Sequence, residues 1–160
     1  MDRHHIRPPE RGQLAALDTA LAALSRELGD PHRSGVADLD RALFGQPPSA
    51  WALVADGEEG LAGAALYAPV FSTVRGGAGL YVSDIWIAPA ARGEGLGLAL
   101  LQRAALSAST LWDARFMRLS VHDHNTAAHG FYGKLGFRKG GEETIMMLAG
   151  DSFEHLRRMT

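Results

Sequence analysis

Leucine recurs at every third or fourth position in the N-terminal part of the chain. The series consists of Leu14, Leu17, Leu21, Leu24 and Leu28. Because a helix returns to the same face after three or four residues, this spacing predicts an amphipathic helix, which Gly29-Asp30-Pro31 ends. A second, shorter helix is predicted from Val36 to Phe44, before a break rich in glycine and proline.

Apolar runs of strand length follow these helices. Residues 51–55 and 61–71 flank the polar segment Asp56-Gly57-Glu58-Glu59-Gly60, and this arrangement predicts a β-hairpin. The third run, from Leu80 to Ile87, is rich in aromatic and β-branched side chains, which is typical of a strand.

The second half of the chain alternates between helical and strand patterns. A helix is predicted over residues 95–109; it is uncharged except for Arg103, so we expect it to be largely buried against a sheet. A strand over residues 116–122, a helix over 126–135 and a final strand over 144–148 follow. This order predicts an α/β protein with a twisted mixed sheet flanked by helices. The strand at Leu80, its helix and the next strand then form a right-handed βαβ unit with a cofactor at its carboxyl end.

Length and composition limit the class of protein. A chain of 160 residues is long enough for one domain with a real core, so we expect a single domain over residues 1–160. Hydrophobic residues make up 46% and charged residues 21%, as in ordinary soluble proteins. The formal charge of −2 gives no basic field for nucleic acid.

The absence of cysteine excludes disulfides, thiolate metal sites and a cysteine nucleophile. The longest apolar run, residues 61–71, is too short to span a bilayer, and the first seven residues are too polar for a signal peptide. We therefore expect a cytoplasmic protein with neither a membrane nor a nucleic acid as its partner.

A glycine-rich turn, Arg92-Gly93-Glu94-Gly95-Leu96-Gly97, connects the Leu80 strand to the following helix. Such a turn leaves several N–H groups pointing one way, and the helix dipole adds partial positive charge at the same place. Arg92 adds a fixed charge with a fork of donors. The pattern indicates a pyrophosphate site; the alternative is a tight turn that needs glycine only for its dihedral angles.

The spacing of these glycines separates the families of phosphate-binding proteins. A Walker loop ends in Gly-Lys-Ser/Thr, whereas Leu98 follows Gly97 here, so hydrolysis of nucleoside triphosphates is disfavoured. A dinucleotide fingerprint requires G-x-G-x-x-G, and the chain has G-x-G-x-G. Asp113 lies where the ribose acid of that fingerprint would fall, but it follows a helical stretch rather than a second strand. The remaining pattern is R-x-x-G-x-G.

Two motifs together resemble the GNAT superfamily of N-acetyltransferases. The first is R-x-x-G-x-G, and the second is the segment NTAAHGFYGKLGF at residues 125–137, which is similar to the family pattern N-x-x-A-x-x-F-Y-x-K-x-G-F. The outer parts of the chain resemble the diamine (spermidine/spermine-type) acetyltransferases. The tail from Glu142 to Met159 is similar to the closing strand and short helix of that subfamily.

The resemblance implies acetyl-CoA as the co-substrate and a set of residues that hold it. The pyrophosphate would lie on the loop residues Arg92, Gly93, Glu94, Gly95, Leu96 and Gly97. The strand Ile85-Trp86-Ile87 would pair with the amides of the pantetheine arm through the backbone groups of Ile85 and Ile87, as an added strand does. Asn125 would contact the same arm while also capping a helix, and Lys134 would lie near the nucleotide end, unless it is only a solvated surface lysine.

Tyr132 is the candidate general acid. An amine that attacks a thioester expels a thiolate, which gains from a proton or a hydrogen bond, and a phenol is a suitable donor. Tyr132 occupies the position that carries this role in the resembling family. The alternative is a core tyrosine that packs its helix beside Phe131.

Asp84 and Arg75 are the candidate substrate residues. Asp84 stands inside an apolar run, where an unpaired buried charge is costly, so it is either a general base or ammonium anchor, or part of a structural ion pair or bulge. The diamine subfamily has an acid where this chain has Ser83, and Arg75 works against binding a polycation. A small monoamine, or an amino acid whose carboxylate Arg75 binds, fits these charges better.

The sequence therefore predicts an N-acetyltransferase that joins acetyl-CoA and a small primary amine by direct attack in a ternary complex. The alternatives are a protein or peptide N-acetyltransferase and a non-catalytic coenzyme-A-binding module. His122, Asp123 and His124 lie together, with His129 in the next element, but they supply no clear third ligand for the usual zinc pattern, so no metal is expected. The resemblance also implies a homodimer, with the C-terminal strand region in its interface.

Overall fold

Helix α1 (Leu14–Leu28) and helix α2 (Val36–Phe44) form where the sequence predicts them. The computed structural model describes residues 4–141 and 144–159. Gly29 ends α1 in the left-handed conformation at φ 76°, and its N–H and that of Asp30 bond to carbonyls of the last turn. Glycine is favoured at this position because a side chain would strain the left-handed backbone.

Five strands form one mixed sheet. They are β1 (Ile6–Arg7), β2 (Trp51–Gly57), β3 (Gly60–Ser72), β4 (Gly77–Ile87) and β5 (Met117–Leu119), in the spatial order β1-β2-β3-β4-β5. The first three pairings are antiparallel and the pairing of β4 with β5 is parallel. The predicted hairpin and the predicted mixed sheet flanked by helices are confirmed.

Opposite faces of the sheet pack against different helices. Leu14, Leu17, Leu21 and Leu39 of α1 and α2 form one core with Ala52, Val54 and Ala64 of the sheet. Residues of opposite parity face the other side, where a Cβ added at Gly63 would lie 3.1 Å from side-chain atoms of Leu96 and Leu100. Those two leucines belong to helix α3 (Leu96–Trp112), so the sheet is covered on both faces.

The end of α3 is fastened to the sheet by aromatic side chains. The indole N–H of Trp112 donates to the carbonyl of Gly79 over 3.0 Å, and its ring meets Trp51 edge-on at 4.9 Å between centroids. Tyr67, which is 1% exposed, donates from its hydroxyl to Oγ of Ser107 over 3.1 Å. These contacts fix the second half of α3 over strands β2 to β4.

Helix α3 is less buried than the sequence predicts. Its buried stripe consists of Leu96, Leu100, Leu101, Ala104 and Ala108. Leu106, which points away from this stripe, is 58% exposed, and Leu111, in the last turn, is 57% exposed. The prediction of a largely buried helix was wrong because a helix presents only one stripe to a sheet.

Strand β5 is shorter than the predicted strand over residues 116–122. It pairs with β4 only from Leu80↔Met117 to Val82↔Leu119. A β-bulge follows in β4 at Ser83. Tyr67 of β3 is opposite Val82 and Leu66 is opposite Asp84, so Ser83 has no residue opposite it in β3. A bulge bends its strand and increases the local twist, so β4 turns away and the ladder with β5 ends.

Residues 121–160 form a second compact unit, distinct from residues 1–120. Its helices are α4 (Thr126–Lys134) and α5 (Gly150–Arg158); α4 confirms the predicted helix, and α5 confirms the short helix implied for the tail. The predicted strand over residues 144–148 is wrong. No described strand pairs with this run, and Ile145, Met146 and Met147 are at least 80% exposed, so no buried face selects an extended register. Glu142 and Glu143, which open the predicted tail, lie outside the described residues.

No helix within residues 4–141 and 144–159 combines the length and the apolarity needed to cross a membrane. The single-domain organisation over residues 1–160 stays a prediction.

The close approach of β4 to the segment before β5 gives a test of the fold. A Cβ at Gly79 would lie 2.6 Å from the ring and the carbonyl oxygen of Phe116, whereas a Cβ at Gly77 would meet nothing closer than 3.8 Å. We expect Gly79→Ala to lower the free energy of unfolding by about 1–3 kcal/mol, because backbone must move. Gly77→Ala is the matched control and should change it by less than about 0.5 kcal/mol. Equal effects of the two changes in urea unfolding would contradict the described pairing.

Candidate active site

One edge of strand β4 is open over its last residues. β4 pairs with β3 along its whole length, from Gly77 to Ile87, but with β5 only as far as Val82. On the β5 side, no described strand pairs with residues 83–87. The backbone N–H and C=O groups on such an edge can pair with an extended ligand. Ile85, Trp86 and Ile87, predicted to bind a pantetheine arm, all lie on this open edge.

The glycine-rich loop follows directly at the end of that edge. Gly93 and Gly95 adopt left-handed backbone at φ 81° and 83°, and Gly95 is the residue before the first turn of α3. The first intrahelical bond there runs from Ala99 to Gly95, so Leu96, Gly97 and Leu98 have no acceptor within the helix. Their N–H groups and the helix dipole favour an anion at this point.

The side chain of Arg92 forms hydrogen bonds with other groups of the protein. Its terminal nitrogen donates to both carboxylate oxygens of Glu27 over 2.7 Å, and its Nε donates to the carbonyl of Ile87 over 3.0 Å. Arg92 thus ties the end of β4 and the loop to the last turn of α1. In this arrangement the backbone, rather than the guanidinium group, offers donors to an anion.

The N-terminal segment also reaches the loop. His4 lies with Nδ1 3.2 Å from the carbonyl oxygen of Asp56 and with Nε2 3.8 Å from the carboxylate of Glu94. Neither His4 nor Glu27 was among the predicted site residues. Each is far along the chain from the loop, and only the folded sheet and helix bring them to it.

Asp84 lies half-buried on the face of the sheet that carries α1 and α2. It is opposite Leu66, and Leu66 packs with Trp86 against that core. The carboxylate makes no hydrogen bond or ion pair with any described residue, so the structural ion pair considered from sequence is absent from this part of the chain. The indole N–H of Trp86 on the same face is buried, and it too has no described partner. A polar ligand on this face would find an acceptor and a donor.

The bulge at Ser83 decides where Asp84 points. Val82 is opposite Tyr67 and therefore faces α3, whereas Asp84 is opposite Leu66 and faces α1. In a regular strand these two residues would share a face, so without the bulge the carboxylate would point beneath α3. The Ser83 hydroxyl donates to the carbonyl of Leu66 over 3.2 Å and so satisfies a backbone group at the bulge.

The structure does not bring Arg75 to Asp84. Arg75 lies in the turn between β3 and β4, where its guanidinium group is 5.6 Å from the ring centroid of Phe116. Asp84 is seven positions beyond Gly77 in β4, which corresponds to about 23 Å of β-strand rise. A small ligand bound at Asp84 would not reach Arg75.

Tyr132 lies in helix α4 of the second unit. Its ring packs edge-on against Phe131 and Phe137, with centroids 5.1 and 5.4 Å away. Burial raises the pKa of Tyr132 above its ordinary value of 10.0. A phenol in this setting stays protonated at neutral pH and can donate its proton, as the predicted general acid must.

Asn125 and Lys134 mark the two ends of the same helix. The side chain of Asn125 accepts a hydrogen bond from the N–H of Ala128 over 3.1 Å, which confirms the predicted cap. Lys134 is exposed in the last turn. Contacts of either residue with a cofactor stay predictions.

The histidines of the second unit lie close together. The rings of His122 and His124 are 5.3 Å apart, and Nε2 of His129 is 3.2 Å from the carbonyl oxygen of His122. Within the described residues there is no group of three or more histidine, aspartate or glutamate side chains placed to hold a metal.

Comparisons with known proteins bear on the family and the fold of the chain. The sequence pattern of the acetyltransferase (GNAT) family matches residues 17–137. A crystal structure of a probable acetyltransferase is 24% identical, with 92% of this chain and 98% of that chain covered and a TM-score of 0.75. The ribosomal-protein-alanine N-acetyltransferase of Brucella melitensis biovar Abortus 2308 is 17% identical, with 91% and 99% covered and a TM-score of 0.72.

An integron cassette protein from the mobile metagenome of V. cholerae is 21% identical, with 98% of both chains covered and a TM-score of 0.75. At these identities the three structures show a shared fold.

The Arg92–Glu27 pair yields a prediction about acetyl-CoA affinity. If Arg92 acts by holding the loop, Arg92→Gln and Glu27→Gln should each weaken acetyl-CoA binding by about threefold, since a half-exposed pair contributes less than about 1 kcal/mol. The double variant should be no weaker than either single variant, because both break one contact. A direct contact of Arg92 with the cofactor would instead make Glu27→Gln bind more tightly in calorimetric titration.

Proposed function

The chain belongs to the acetyltransferase (GNAT) family, and we propose that this acetyltransferase uses acetyl-CoA to acetylate the primary amine of a small molecule. Donor and acceptor would be bound together in a ternary complex, and the amine would attack directly. The chain contains no cysteine that could carry a covalent acetyl intermediate.

The observation that carries this proposal is the open edge of β4 that leads into the glycine-rich loop. The edge offers backbone donors and acceptors to the amide-containing pantetheine arm over residues 83–87, with Ile85 and Ile87 as the proposed partners. The loop then offers the N–H groups of Leu96, Gly97 and Leu98 to a pyrophosphate. A ligand that is extended and amide-bearing at one end and anionic at the other fits this order.

Bound acetyl-CoA would supply a thioester whose carbonyl carbon is the electrophile. In the proposal, the hydroxyl of Tyr132 donates its proton to the departing sulfur as the carbon–sulfur bond breaks. Its raised pKa keeps that proton available at neutral pH. Asn125 orients the pantetheine arm, and Lys134 contacts the nucleotide end.

Asp84 is proposed to receive the acceptor amine. Its carboxylate lacks a described partner and lies on the face of the sheet opposite α3, where it can attract an ammonium group or accept the proton that the amine loses. The indole N–H of Trp86 on the same face would bind an oxygen of the acceptor or of a water. Arg75 lies about 23 Å along the strand from Asp84, so it would not reach the carboxylate of an amino acid bound at Asp84. A small monoamine is therefore the favoured acceptor.

The test is coenzyme A release from acetyl-CoA with a panel of acceptors. The panel contains monoamines, polyamines, lysine analogues, aminoglycosides, arylamines and short peptides. The proposal expects the fastest release with a small monoamine. Release only with peptides would favour a protein acceptor, and tight acetyl-CoA binding with no release from any acceptor would favour a non-catalytic binding module.

Tyr132→Phe should separate chemistry from binding. We expect kcat to fall by about 100-fold or more, because a positioned general acid contributes at least that factor, with little change in acetyl-CoA affinity. Since burial raises the pKa of Tyr132 above 10.0, the wild-type rate should show no loss from this group until the pH exceeds that value. Unchanged turnover in the variant would contradict the assignment. So would a wild-type rate that already falls as the pH rises through neutrality, if the variant shows no such fall.

Asp84→Asn should depress acetyl transfer most at low pH. At low pH most of the acceptor is ammonium, so the loss of the carboxylate that attracts or deprotonates it should lower kcat/KM by about 100-fold there. Asp113→Asn is the matched control, because Asp113 ends α3 at a left-handed φ of 53° that asparagine tolerates. Equal pH profiles for the Asp84 variant and the wild type would remove Asp84 from the mechanism.

A further inference from the structure

A cavity of about 520 Å³ opens on the α3 face of the sheet. Its lining comes from Pro8 and Pro9, the end of α2, the start of β2 and one side of α3, and its apolar part includes Phe44, Trp51, Leu53, Leu106 and Leu111. Its volume falls within the range of about 300–1,000 Å³ that is usual for small-molecule sites. All of its lining residues belong to the first unit.

The cavity is separate from the acetyl-CoA loop. It lies beneath the second half of α3, and Ser107 in its lining is eleven residues beyond Leu96, or about 16 Å along the helix. Neither the glycine-rich loop nor Asp84 contributes to the lining. A ligand here would therefore be a different molecule from the one bound by the loop.

Two polar side chains of this cavity, Ser107 and Arg103, have protons to donate to a ligand. Tyr67 donates its hydroxyl proton to Ser107, which leaves the serine proton for another acceptor. Burial raises the pKa of Tyr67 above 10.0, against smaller lowering effects of Ser107 and Arg103, so the phenol stays neutral. Arg103 lines the opening and makes no hydrogen bond or ion pair with any described residue.

Among the described residues no aspartate or glutamate lines the cavity, so none of them compensates the charge of Arg103 there. Thr110, the remaining polar side chain of the lining, donates its hydroxyl to the carbonyl of Leu106 over 3.0 Å. The other lining residues are apolar, and Leu106 and Leu111 are more than half exposed. Burial of these leucines would remove apolar surface from water, which is favourable. The cavity therefore combines a mainly apolar lining with one cationic side chain, Arg103.

We propose that this cavity binds a small amphipathic carboxylate. The apolar body would lie against Trp51, Leu106 and Leu111, and the carboxylate would accept hydrogen bonds from Arg103 and Ser107. The inference does not depend on the acetyl acceptor, and its test needs no turnover.

The test is calorimetric titration of the full chain with decanoate in the presence of saturating acetyl-CoA. We expect one decanoate per chain and weaker binding of decanol, which has the apolar body without the charge. Arg103→Met should weaken decanoate binding by about fivefold or more, since it removes the charge and keeps the stem. Arg33→Met, which removes another exposed arginine without a described ion pair, is the matched control and should leave binding unchanged.

A second variant keeps the test informative if Arg103→Met unfolds. Leu106→Asp places a negative charge on the exposed side of the lining and should weaken decanoate binding to a similar extent, with thermal unfolding as the check on folding. No decanoate binding, equal binding by the Arg103 variant, or displacement of decanoate by acetyl-CoA would overturn the proposal. A wild-type dimer that Leu106→Asp converts to a monomer in sedimentation, without decanoate binding, would assign this surface to a second copy of the chain.

Discussion

Strand β4 has a partner along its entire length on one side and along only three residues on the other. This asymmetry originates at Ser83, where two residues of β4 oppose one position of β3. The bulge turns Asp84 to the α1 face and separates β4 from β5, so that the same local feature exposes a carboxylate and a backbone edge. Both parts of the proposed site in the first unit depend on it.

The proposed anion site at the end of β4 is built from backbone rather than from side-chain charge. Gly93 and Gly95 supply left-handed dihedral angles, and the first turn of α3 supplies N–H groups without intrahelical acceptors. The guanidinium group of Arg92 donates its hydrogen bonds to Glu27 and to the carbonyl of Ile87. A loop that is tied to α1 in this way needs less ordering when a ligand binds, which lowers the entropic cost of binding.

The positions of the helices and of the glycine-rich turn before α3 could be predicted from the sequence because their signals are local. Leucine spacing gave α1, glycine ended it at Gly29, and Asn125 capped α4 as its residue type predicts. The sequence did not predict the bulge at Ser83 or the pairing of Arg92 with Glu27, because each depends on contacts between distant segments. The exposure of one side of α3 was not predicted for a related reason. The composition of a helix shows that it is apolar but does not show which neighbouring elements cover it. The run at residues 144–148 has strand-forming residues but no described partner edge.

We propose that the loop after β4 binds the pyrophosphate of acetyl-CoA through backbone N–H groups, and amide chemical shifts test this binding most directly. Acetyl-CoA would be titrated into isotope-labelled protein while the amide signals are followed by NMR. We expect the largest shifts at residues 93–98, with smaller shifts at Ile85 and Ile87 and none centred on Arg103 to Leu111. Saturable binding that leaves the amides of residues 93–98 unchanged would contradict it.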